Sequence, residues 1–361
     1  MMNTHFYTVI MAGGVGSRFW PLSKQKYPKQ FLDVLNTGRS LFQATYQRFA
    51  QICPEENIYV VANKDYGSII KKQIPGIHDD QILLEPVARN TAPCVAYASY
   101  KIKQKDENAT IVVAPSDHLI MNENVFLKSI SNALEYASQN DVLVTLGIKP
   151  NRPDTGYGYI QFIEDKHSEG FYKVKTFTEK PSLEIAERFV ESGEFLWNAG
   201  IFIWSVRSIT EALHNFLPEV ESCLDFSEGT YFTDSEPKAI NSAYTECPTI
   251  SIDYGIMEKA DNVHVLPGDF GWSDIGTWNS LFQYVEKDKD NNAIKGKFVF
   301  TRNAQDCIIN ISDDKLLAVN NVKNLIIVES ENIILVADKS QEQDIRHVVN
   351  EIKSKYREKF I

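Results

Sequence analysis

A glycine-rich segment followed by a cation is the first place in the chain that could bind an anion. Ala12-Gly13-Gly14-Val15-Gly16-Ser17-Arg18 follows the apolar run Phe6–Met11. Glycines let the backbone approach a ligand closely, successive N–H groups can surround a phosphate or a base edge, and a planar guanidinium is suited to phosphate. A Walker loop is excluded because no Lys-Ser or Lys-Thr follows the last glycine, and Phe19 stands where GxGxxG needs its third glycine. Alone, the pattern predicts either a structural turn or a ligand-binding loop.

Two aspartates in turn-like segments could hold a metal ion. Asp117 lies in Pro115-Ser116-Asp117-His118, directly after an apolar run, and Asp274 lies in Gly271-Trp272-Ser273-Asp274-Ile275-Gly276. An isolated aspartate after a strand is usually a turn or helix cap. Paired carboxylates together with phosphate oxygens, however, make a typical Mg²⁺ site. For either aspartate alone, the cap is the simpler interpretation.

Further polar segments carry side chains that bind phosphates, hydroxyls or base edges. They are Pro28-Lys29-Gln30-Phe31-Leu32, Glu85-Pro86-Val87-Ala88-Arg89-Asn90-Thr91-Ala92-Pro93, Asp154-Thr155-Gly156-Tyr157-Gly158-Tyr159-Ile160, Phe177-Thr178-Glu179-Lys180-Pro181, Trp197-Asn198-Ala199-Gly200-Ile201-Phe202 and Ser251-Ile252-Asp253-Tyr254. Each has an ordinary structural explanation by itself. Glu179-Lys180, for example, would be a solvated charge pair before a helix that begins near Ser182.

These polar segments lie between short apolar runs, which we expect to form the strands that position them. The runs Phe6–Met11, Ile58–Val61, Ile111–Ala114 and Val142–Leu146 alternate with amphipathic stretches, among them 41–52 and 126–137. Buried strands that alternate with helices predict an α/β fold, a Rossmann-like domain with a mostly parallel sheet. Ligands bind at the carboxyl ends of such strands, where the glycine loop and Asp117 would both emerge.

The chain changes character after about Lys287. A charged, turn-rich break at Asp288–Asn292 precedes short apolar runs separated by polar turns, at 298–300, 308–311, 316–319, 325–328 and 333–336. These runs predict rungs of a small β-helix-like structure, and the apolar positions in 341–361 predict a terminal packing helix. We therefore expect a catalytic domain at 1–290 and a small C-terminal β-rich domain at 291–361.

Composition narrows the class of protein. The chain has 361 residues, more than the ~250–300 at which one core usually stops growing, so we expect one large domain and a small appendage. Its net charge of −11 argues against a nucleic-acid-binding surface. Five scattered cysteines and no CxxC pair argue against a disulfide framework or a zinc site. With no long apolar run and no signal-peptide core, we expect a cytoplasmic protein without a membrane span.

Taken together, the motifs from Tyr7 to Trp278 closely resemble mannose-1-phosphate guanylyltransferases, the GDP-mannose pyrophosphorylases of the sugar nucleotidyltransferase superfamily. The resemblance implies a nucleotidyltransferase domain that converts GTP and α-D-mannose 1-phosphate into GDP-mannose and pyrophosphate, with Mg²⁺ as cofactor. It implies that the sugar phosphate attacks the α-phosphorus in line. About seventy residues follow Asp290, too few for the isomerase domain of many bacterial relatives, so the chain resembles the short, monofunctional form. We expect a homodimer.

The resemblance also assigns roles to residues. In catalysis, Arg18 would hold the β,γ-phosphates, Lys29 would neutralise the α-phosphate, and Asp117 and Asp274 would bind the metal. The nucleotide-binding residues would be Ala12, Gly13, Gly14, Gly16, Ser17, Glu85, Asn90 and Thr91. Within this group, Glu85 or Asn90 would recognise guanine, whose two adjacent donors match one carboxylate. The sugar-phosphate-binding residues would be Gly156, Tyr157, Gly158, Glu179, Lys180 and Asn198.

Three other functions compete with this one. A nucleotidyltransferase for another nucleotide and glucose, fucose or heptose phosphate is the nearest rival. A catalytically silent sensor of GDP-mannose would be expected to lose a loop cation or a metal carboxylate, and this chain keeps Arg18, Lys29, Asp117 and Asp274. A nicotinamide dehydrogenase lacks support, because the third glycine and the ribose-binding acid are missing.

Overall fold

Two compact units make up the computed structural model, which describes residues 2–14, 16–163, 170–226 and 229–361. The first unit consists of Met1–Gly13, Thr45–Ser116 and Ile120–Trp272, and the second of Gly14–Ala44, Asp117–Leu119 and Ser273–Ile361. The expected C-terminal domain therefore folds together with two earlier parts of the chain, and the boundary at 290 stays a prediction. Val15, in the glycine loop, lies outside the described residues.

A nine-stranded sheet forms the centre of the first unit. The strands up to residue 273 are β1 (Phe6–Met11), β2 (Ile58–Asn63), β3 (Ile82–Glu85), β4 (Thr110–Pro115), β5 (Leu119–Ile120), β6 (Leu143–Ile148), β7 (Gly158–Ile163), β8 (Tyr172–Glu179), β9 (Phe195–Ser205), β10 (Val263–Gly268) and β11 (Trp272–Ser273). All but the two-residue strands β5 and β11 join the sheet, in the order β3-β2-β1-β4-β9-β6-β10-β8-β7.

Seven of the nine strands run in one direction, as the predicted mostly parallel sheet requires, although four of the described pairings are parallel and five are antiparallel. β3, β2, β1 and β4 are parallel neighbours, and so are β6 and β10. β9 runs antiparallel to β4, β6 and β7, and β8 runs antiparallel to β10 and β7, so only β8 and β9 oppose the common direction among these nine strands. The predicted strand Phe6–Met11 matches β1, whose first five residues are buried, as expected for a strand covered on both faces.

The described helices are α1 (Leu41–Phe49), α2 (Gly67–Gln73), α3 (Thr91–Lys105), α4 (Glu123–Gln139), α5 (Leu183–Ser192), α6 (Val206–Phe216), α7 (Pro218–Leu224), α8 (Glu236–Glu246), α9 (Trp278–Phe282) and α10 (Ile345–Tyr356). Four of them, α1, α4, α5 and α10, lie where the sequence predicts helical stretches. In α4, Phe126, Ile130 and Leu134 form the buried face that their spacing predicts. The Asn122 side chain begins this helix by accepting a hydrogen bond from the Val125 N–H.

Parallel rungs form the C-terminal part of the second unit. Its strands are β12 (Ala293–Lys295), β13 (Phe298–Gln305), β14 (Ile308–Asn310), β15 (Leu316–Lys323), β16 (Leu325–Ser330) and β17 (Ile333–Asp338). β12, β14 and β16 are successive parallel neighbours, and β13 is parallel to β15. Asn303 donates to Asn321 at 2.9 Å, one rung further along the chain, and both have positive φ at the turn. This is the predicted β-helix-like arrangement.

The rungs share a core with the segment that follows the glycine loop. Phe19 and Trp20 are buried in one apolar cluster with Trp278, Ile326 and Val349. The Trp20 indole N–H donates to the Phe360 carbonyl at 2.8 Å, and Lys24 pairs with Glu331 at 2.8 Å. The C-terminal residues therefore support the backbone on which Arg18 and Lys29 are carried.

The outer face of β13 and β15 leaves several large apolar side chains exposed. Phe298, Phe300 and Leu316 are 48%, 59% and 76% exposed. The expected homodimer stays a prediction. None of the described helices combines the length and the apolar character that crossing a bilayer requires.

Candidate active site

Lys29 is the centre of a charged cluster in the second unit. Its side chain is 5% exposed, and its ammonium lies 2.8 Å from Asp117 Oδ2. The same ammonium donates to the main-chain carbonyls of Asp274 and Ile275, at 2.9 Å each. Three donors therefore meet three acceptors. The structure brings together Lys29, Asp117 and the backbone of Asp274, which the sequence places far apart.

The glycine loop is shaped to admit Lys29. Gly16 has φ +61, and a Cβ on Gly16 would lie 2.9 Å from the Lys29 Cβ, too close for any other residue. Gln30, 2% exposed, donates through Nε2 to the Gly14 carbonyl at 3.3 Å. A Cβ on Gly13 or Gly14 would meet no described atom within 4 Å, so a ligand can approach this backbone.

Arg18 carries an unsatisfied donor. Arg18 and Ser17 lie in a short 3-10 turn after Gly16, and the buried Arg18 Nε has no hydrogen-bond partner among the described residues. A buried guanidinium N–H without an acceptor is costly unless an anion completes it. The second unit thus contains a donor that suits a phosphate oxygen.

Asp117 and Asp274 fit a hard cation by their chemistry. Burial opposes ionisation of Asp117, but the Lys29 ammonium, with His118, holds the pKa of this carboxyl below its ordinary value, so it is an anion at neutral pH. The Asp274 Oδ1 accepts the Gly276 N–H at 2.9 Å, which fixes its rotamer. The described residues contain no group of three or more metal-ligating side chains. Mg²⁺ is typically held by only one or two carboxylates, with phosphate oxygens and waters as the other ligands, so the donor set fits.

The segment Glu85–Pro93, hereafter the base motif, joins the end of β3 to the start of α3 in the first unit. Glu85 is buried at the last position of β3, and burial raises its pKa to about 7 while a hydrogen bond from the Tyr244 hydroxyl, 2.9 Å long, opposes this. Asn90 is exposed with φ +68, and its Oδ1 accepts the Thr91 N–H at the start of α3. Thr91 Oγ1 accepts the Ile252 N–H at 2.8 Å. Glu85 is therefore buried and held by a hydrogen bond, whereas Asn90 is a helix cap at the surface.

A second carboxylate, Glu179, is held against a glycine at the start of β7. Gly158 pairs with Glu179 across β7 and β8, and a Cβ on Gly158 would lie 2.3 Å from Glu179 Oε2. Oε2 is buried and has no hydrogen-bond partner among the described residues, while Oε1 takes the Lys180 ammonium at 2.8 Å. An orphaned buried acceptor is suited to a hydroxyl donor.

Asn198 is fixed by three partners, which lie on the neighbouring strand β6, on its own strand β9 and in the helical turn Asp253–Met257. Its Oδ1 accepts from Thr145 Oγ1 and from the Gly200 N–H, both at 3.0 Å, and its Nδ2 donates to Asp253 Oδ1 at 2.9 Å. Burial, and then the charge of Glu179, raises the pKa of Asp253 to about 6. Asp253 therefore accepts a hydrogen bond from Asn198 and interacts electrostatically with Glu179.

Gly156 and Tyr157 lie in a structured turn. The Gly156 N–H donates to Asp154 Oδ1 at 2.9 Å. The buried Tyr157 ring packs edge-on against Trp197 and Trp272, with centroids 5.0 and 5.2 Å apart. The Tyr157 carbonyl accepts the Lys180 N–H at 3.2 Å, so this turn and the Glu179-Lys180 pair are joined by the backbone.

Comparisons with known proteins decide the family. The nucleotidyl transferase family model matches residues 7–291, and a model for the mannose phosphate isomerase/GMP-like β-helix domain matches residues 300–352. The mannose-1-phosphate guanylyltransferase of Salmonella montevideo is 37% identical over 98% of this chain and 75% of its own length. This chain belongs to the mannose-1-phosphate guanylyltransferase family. It is an enzyme of the nucleotidyltransferase class.

Two further relatives agree. The mannose-1-phosphate guanylyltransferase of Klebsiella pneumoniae is 36% identical over 98% of this chain and 75% of its own length. The crystal structure of mannose-1-phosphate geranyltransferase from Thermus thermophilus matches with a TM-score of 0.85 and 30% identity, over 97% of this chain and 100% of that one. The fold class expected from the motifs, a nucleotidyltransferase domain followed by a β-helix-like domain, is confirmed.

The sequence motifs assign no role to one segment, Ser251–Tyr254. Ser251–Tyr254 joins two of the predicted sites within the first unit, because Ile252 donates to Thr91 and Asp253 accepts from Asn198. Tyr244 and Gln30 gave even less sequence signal, since a tyrosine in a helix and a glutamine in a short turn are ordinary residues. The assigned roles of individual site residues remain predictions.

Proposed function

We propose that this enzyme transfers GMP from GTP to α-D-mannose 1-phosphate and releases pyrophosphate. An anionic oxygen of the sugar phosphate forms a bond to the α-phosphorus of GTP, and the bond from that phosphorus to the oxygen bridging to the β-phosphorus breaks. Pyrophosphate leaves with that oxygen and its electron pair. The nucleophile is already anionic at neutral pH, so the step needs no general base.

The observation that carries this proposal is the cluster of Lys29, Asp117 and Asp274. Phosphoryl and nucleotidyl transfers depend mainly on positioning and on neutralising charge. An ammonium fixed by three acceptors needs little reorganisation when negative charge develops beside it. Lys29, whose three N–H donors already have acceptors, would offset the charge of the α-phosphate electrostatically, and the unsatisfied Arg18 Nε would bind an oxygen of the departing pyrophosphate.

Asp117 and Asp274 would hold Mg²⁺. A bound magnesium ion supplies Lewis acidity and offsets the repulsion between two phosphates. In this proposal, Asp117 divides its negative charge between Lys29 and the metal, so its depressed pKa matters because the ligand must be ionised. The hydrogen bond from the Gly276 N–H keeps Asp274 in one orientation.

In this proposal, the residues that bind the sugar phosphate belong to the first unit. Glu179 Oε2 would accept hydrogen bonds from mannose hydroxyls, as a buried acceptor without a protein partner. Asn198 would add an amide whose orientation is fixed by Thr145 and Asp253. Lys180, 63% exposed, would pair with the phosphate of the sugar.

A pyrophosphate-release assay tests the proposal. Purified enzyme is incubated with each of GTP, ATP, UTP and dTTP against mannose, glucose and fucose 1-phosphates, with and without Mg²⁺. We expect the highest kcat/KM for GTP with mannose 1-phosphate, and loss of turnover when EDTA removes the metal. Equal or better turnover of UTP or dTTP with glucose 1-phosphate would contradict the substrate assignment but not the fold.

A further inference from the structure

The base motif is joined to the end of α8 and the loop after it. Arg89 donates from Nε to the Tyr244 carbonyl at 3.0 Å and from a terminal nitrogen to the Thr245 carbonyl at 3.1 Å, so it caps the carboxyl end of α8. The backbones also meet twice, through Ala92 N–H to the Ile250 carbonyl and Ile250 N–H to the Arg89 carbonyl, at 3.1 and 3.2 Å. These bonds fix the position of Tyr244 relative to the base motif.

From this fixed position, Tyr244 forms a hydrogen bond with the Glu85 side chain. Its ring is fully buried, and its hydroxyl donates to Glu85 Oε1 at 2.9 Å. Glu85 is the last residue of β3, so its carboxylate stands at the carboxyl end of a parallel strand, where α/β sheets bind ligands. An ionised carboxylate has about four lone-pair sites, and Tyr244 occupies only one of them.

We propose that Tyr244 is a positioning residue for recognition of the nucleobase, holding the Glu85 carboxylate in the orientation that accepts the two adjacent N–H donors of guanine. This inference rests on the proposed function, in which the base motif binds the base of GTP. Tyr244 itself does not touch the nucleotide. Its hydroxyl acts through Glu85, and Arg89 acts through the backbone that carries Tyr244.

Recognition of this kind depends on pH. Guanine presents donors at N1 and N2, so it pairs with the ionised carboxylate, whereas the neutral acid places an O–H where an acceptor is needed. Burial raises the pKa of Glu85 to about 7, and the Tyr244 hydrogen bond lowers it toward the ionised form. Among the described residues, the titratable groups that interact with Glu85 include Tyr244 and Cys247 from the α8 end and Cys94 and Tyr97 from α3. Burial raises the pKa of each, so they stay neutral near pH 7. Affinity for guanine should therefore rise as the pH rises through about 7.

The test compares Tyr244→Phe with the wild type in the full chain, using GTP and ITP. The base of ITP keeps N1–H but lacks the N2 amino group, so the ratio of the two KM values reports on the carboxylate. Near neutral pH we expect Tyr244→Phe to raise KM for GTP by ~10-fold, to leave kcat within about twofold, and to shrink the preference for GTP over ITP. The variant should recover part of its affinity at pH ~8, where its Glu85 is more ionised and guanine still carries its N1 proton.

Tyr231→Phe is the matched control. It also removes a buried tyrosine hydroxyl from the first unit, one that donates to the Leu224 carbonyl and not to Glu85. If Tyr244→Phe lowers Tm but leaves both KM values, their ratio and the pH profile like those of this control, Tyr244 is only structural and the inference is wrong. If the variant does not fold, the wild type decides: a GTP-over-ITP preference that stays flat from pH ~6 to ~8 overturns the inference. Preference of the wild type for a nucleotide other than GTP would instead overturn the proposed function.

Discussion

Two lysine–carboxylate pairs, one in each unit, have the same N–O distance but opposite patterns of solvent exposure. Lys29 and Asp117 are 2.8 Å apart, and so are Lys180 and Glu179. In the first pair the lysine side chain is 5% exposed and the carboxylate 29%; in the second the lysine is 63% exposed and the carboxylate 11%. The cation is the fixed partner in one pair, and the anion is the fixed partner in the other.

This difference in exposure suits the two pairs to different roles in the reaction. A buried ammonium with three acceptors is preorganised, and it suits a step in which charge develops at one fixed phosphorus. An exposed lysine on a buried glutamate can follow a substrate phosphate as it binds, while the glutamate stays in place for the sugar hydroxyls that it is proposed to bind. Removing one partner of a buried pair costs ~3–5 kcal/mol of folding free energy, whereas exposed pairs contribute ~0–1 kcal/mol. Variants of the two pairs should separate stability from affinity.

The largest effect is expected from the two carboxylates beside Lys29 that are proposed to bind Mg²⁺. Asp117→Asn or Asp274→Asn should lower kcat by ~10²–10⁴, or about 3–5 kcal/mol of transition-state stabilisation. Binding of GTP should fall far less, because the glycine loop and the base motif remain. The measurement is kcat against Mg²⁺ concentration, with circular dichroism to verify the fold. A folded Asp274→Asn enzyme within about threefold of wild type at saturating Mg²⁺ would contradict the two-carboxylate mechanism.

Lys29→Met should have the second-largest effect. It should lower the free energy of unfolding as well as kcat. The change removes the ammonium but keeps most of the stem that packs against Gly16, so Asp117 and two carbonyls lose their donor. We expect a loss of ~3 kcal/mol in the free energy of unfolding and of ~10²-fold or more in kcat. Urea unfolding and steady-state kinetics measure the two effects. A variant as stable as the wild type would show that the cluster is solvated and not preorganised.

The pair also predicts a dependence of stability on acid. The pKa of Asp117 is lower in the folded chain than its ordinary value, so the unfolded chain binds more protons as the pH falls. The stabilisation is complete above the ordinary pKa of ~3.9 and is lost below it, as the pH falls through the depressed value. Lys29→Met should flatten the acid limb of the stability profile for this reason. An unchanged acid limb would mean that Lys29 does not set the pKa of Asp117.

Part of this comparison was predictable from the sequence. Lys29, Asp117, Asp274, Glu179 and Lys180 all stand in recognisable motifs, and strands such as Phe6–Met11 were visible because buried parallel strands are continuously apolar. Burial of the two pairs was not predictable, since it depends on contacts between residues that are distant in the chain. Tyr244 and Asp253 were missed as partners for the same reason. The joint core of the segment after the glycine loop and the C-terminal rungs was also invisible, because periodicity reports on single elements and not on which elements pack together.

Gly158→Ala should have a smaller effect, confined to the sugar. The new methyl group would lie 2.3 Å from Glu179 Oε2, so the carboxylate must move from its buried position. We expect KM for mannose 1-phosphate to rise by ~10-fold while KM for GTP stays the same, since one hydrogen bond to a charged group is worth ~1.5–3 kcal/mol. Gly67→Ala is the control, because a Cβ there meets only the flexible Leu84 side chain, at 3.3 Å. Equal effects on both substrates would argue against a sugar role for Glu179.

The smallest effects are expected at Lys180, where charge and backbone strain can be separated. Lys180 has φ +48, a left-handed conformation that costs a residue with a Cβ ~1–2 kcal/mol, and the chain keeps a lysine there. Lys180→Met removes the charge and keeps the strain, whereas Lys180→Gly removes both. Both variants should raise KM for mannose 1-phosphate by only ~3–5-fold, because a contact made by an exposed lysine is worth ~0–1 kcal/mol.

The two variants should differ in stability. Lys180→Met should match the wild type within ~1 kcal/mol, because an exposed pair contributes little. Lys180→Gly should be as stable as the wild type or more stable by up to ~1 kcal/mol, since glycine adopts positive φ without a steric cost but loses more entropy on folding. Urea unfolding and KM for mannose 1-phosphate decide the outcome. A gain in stability together with weaker binding would mean that the chain tolerates strain at Lys180 for the sake of its charge. Destabilisation of both variants by ~3 kcal/mol or more would instead place Lys180 in the same class as Lys29 and remove the contrast between the two pairs.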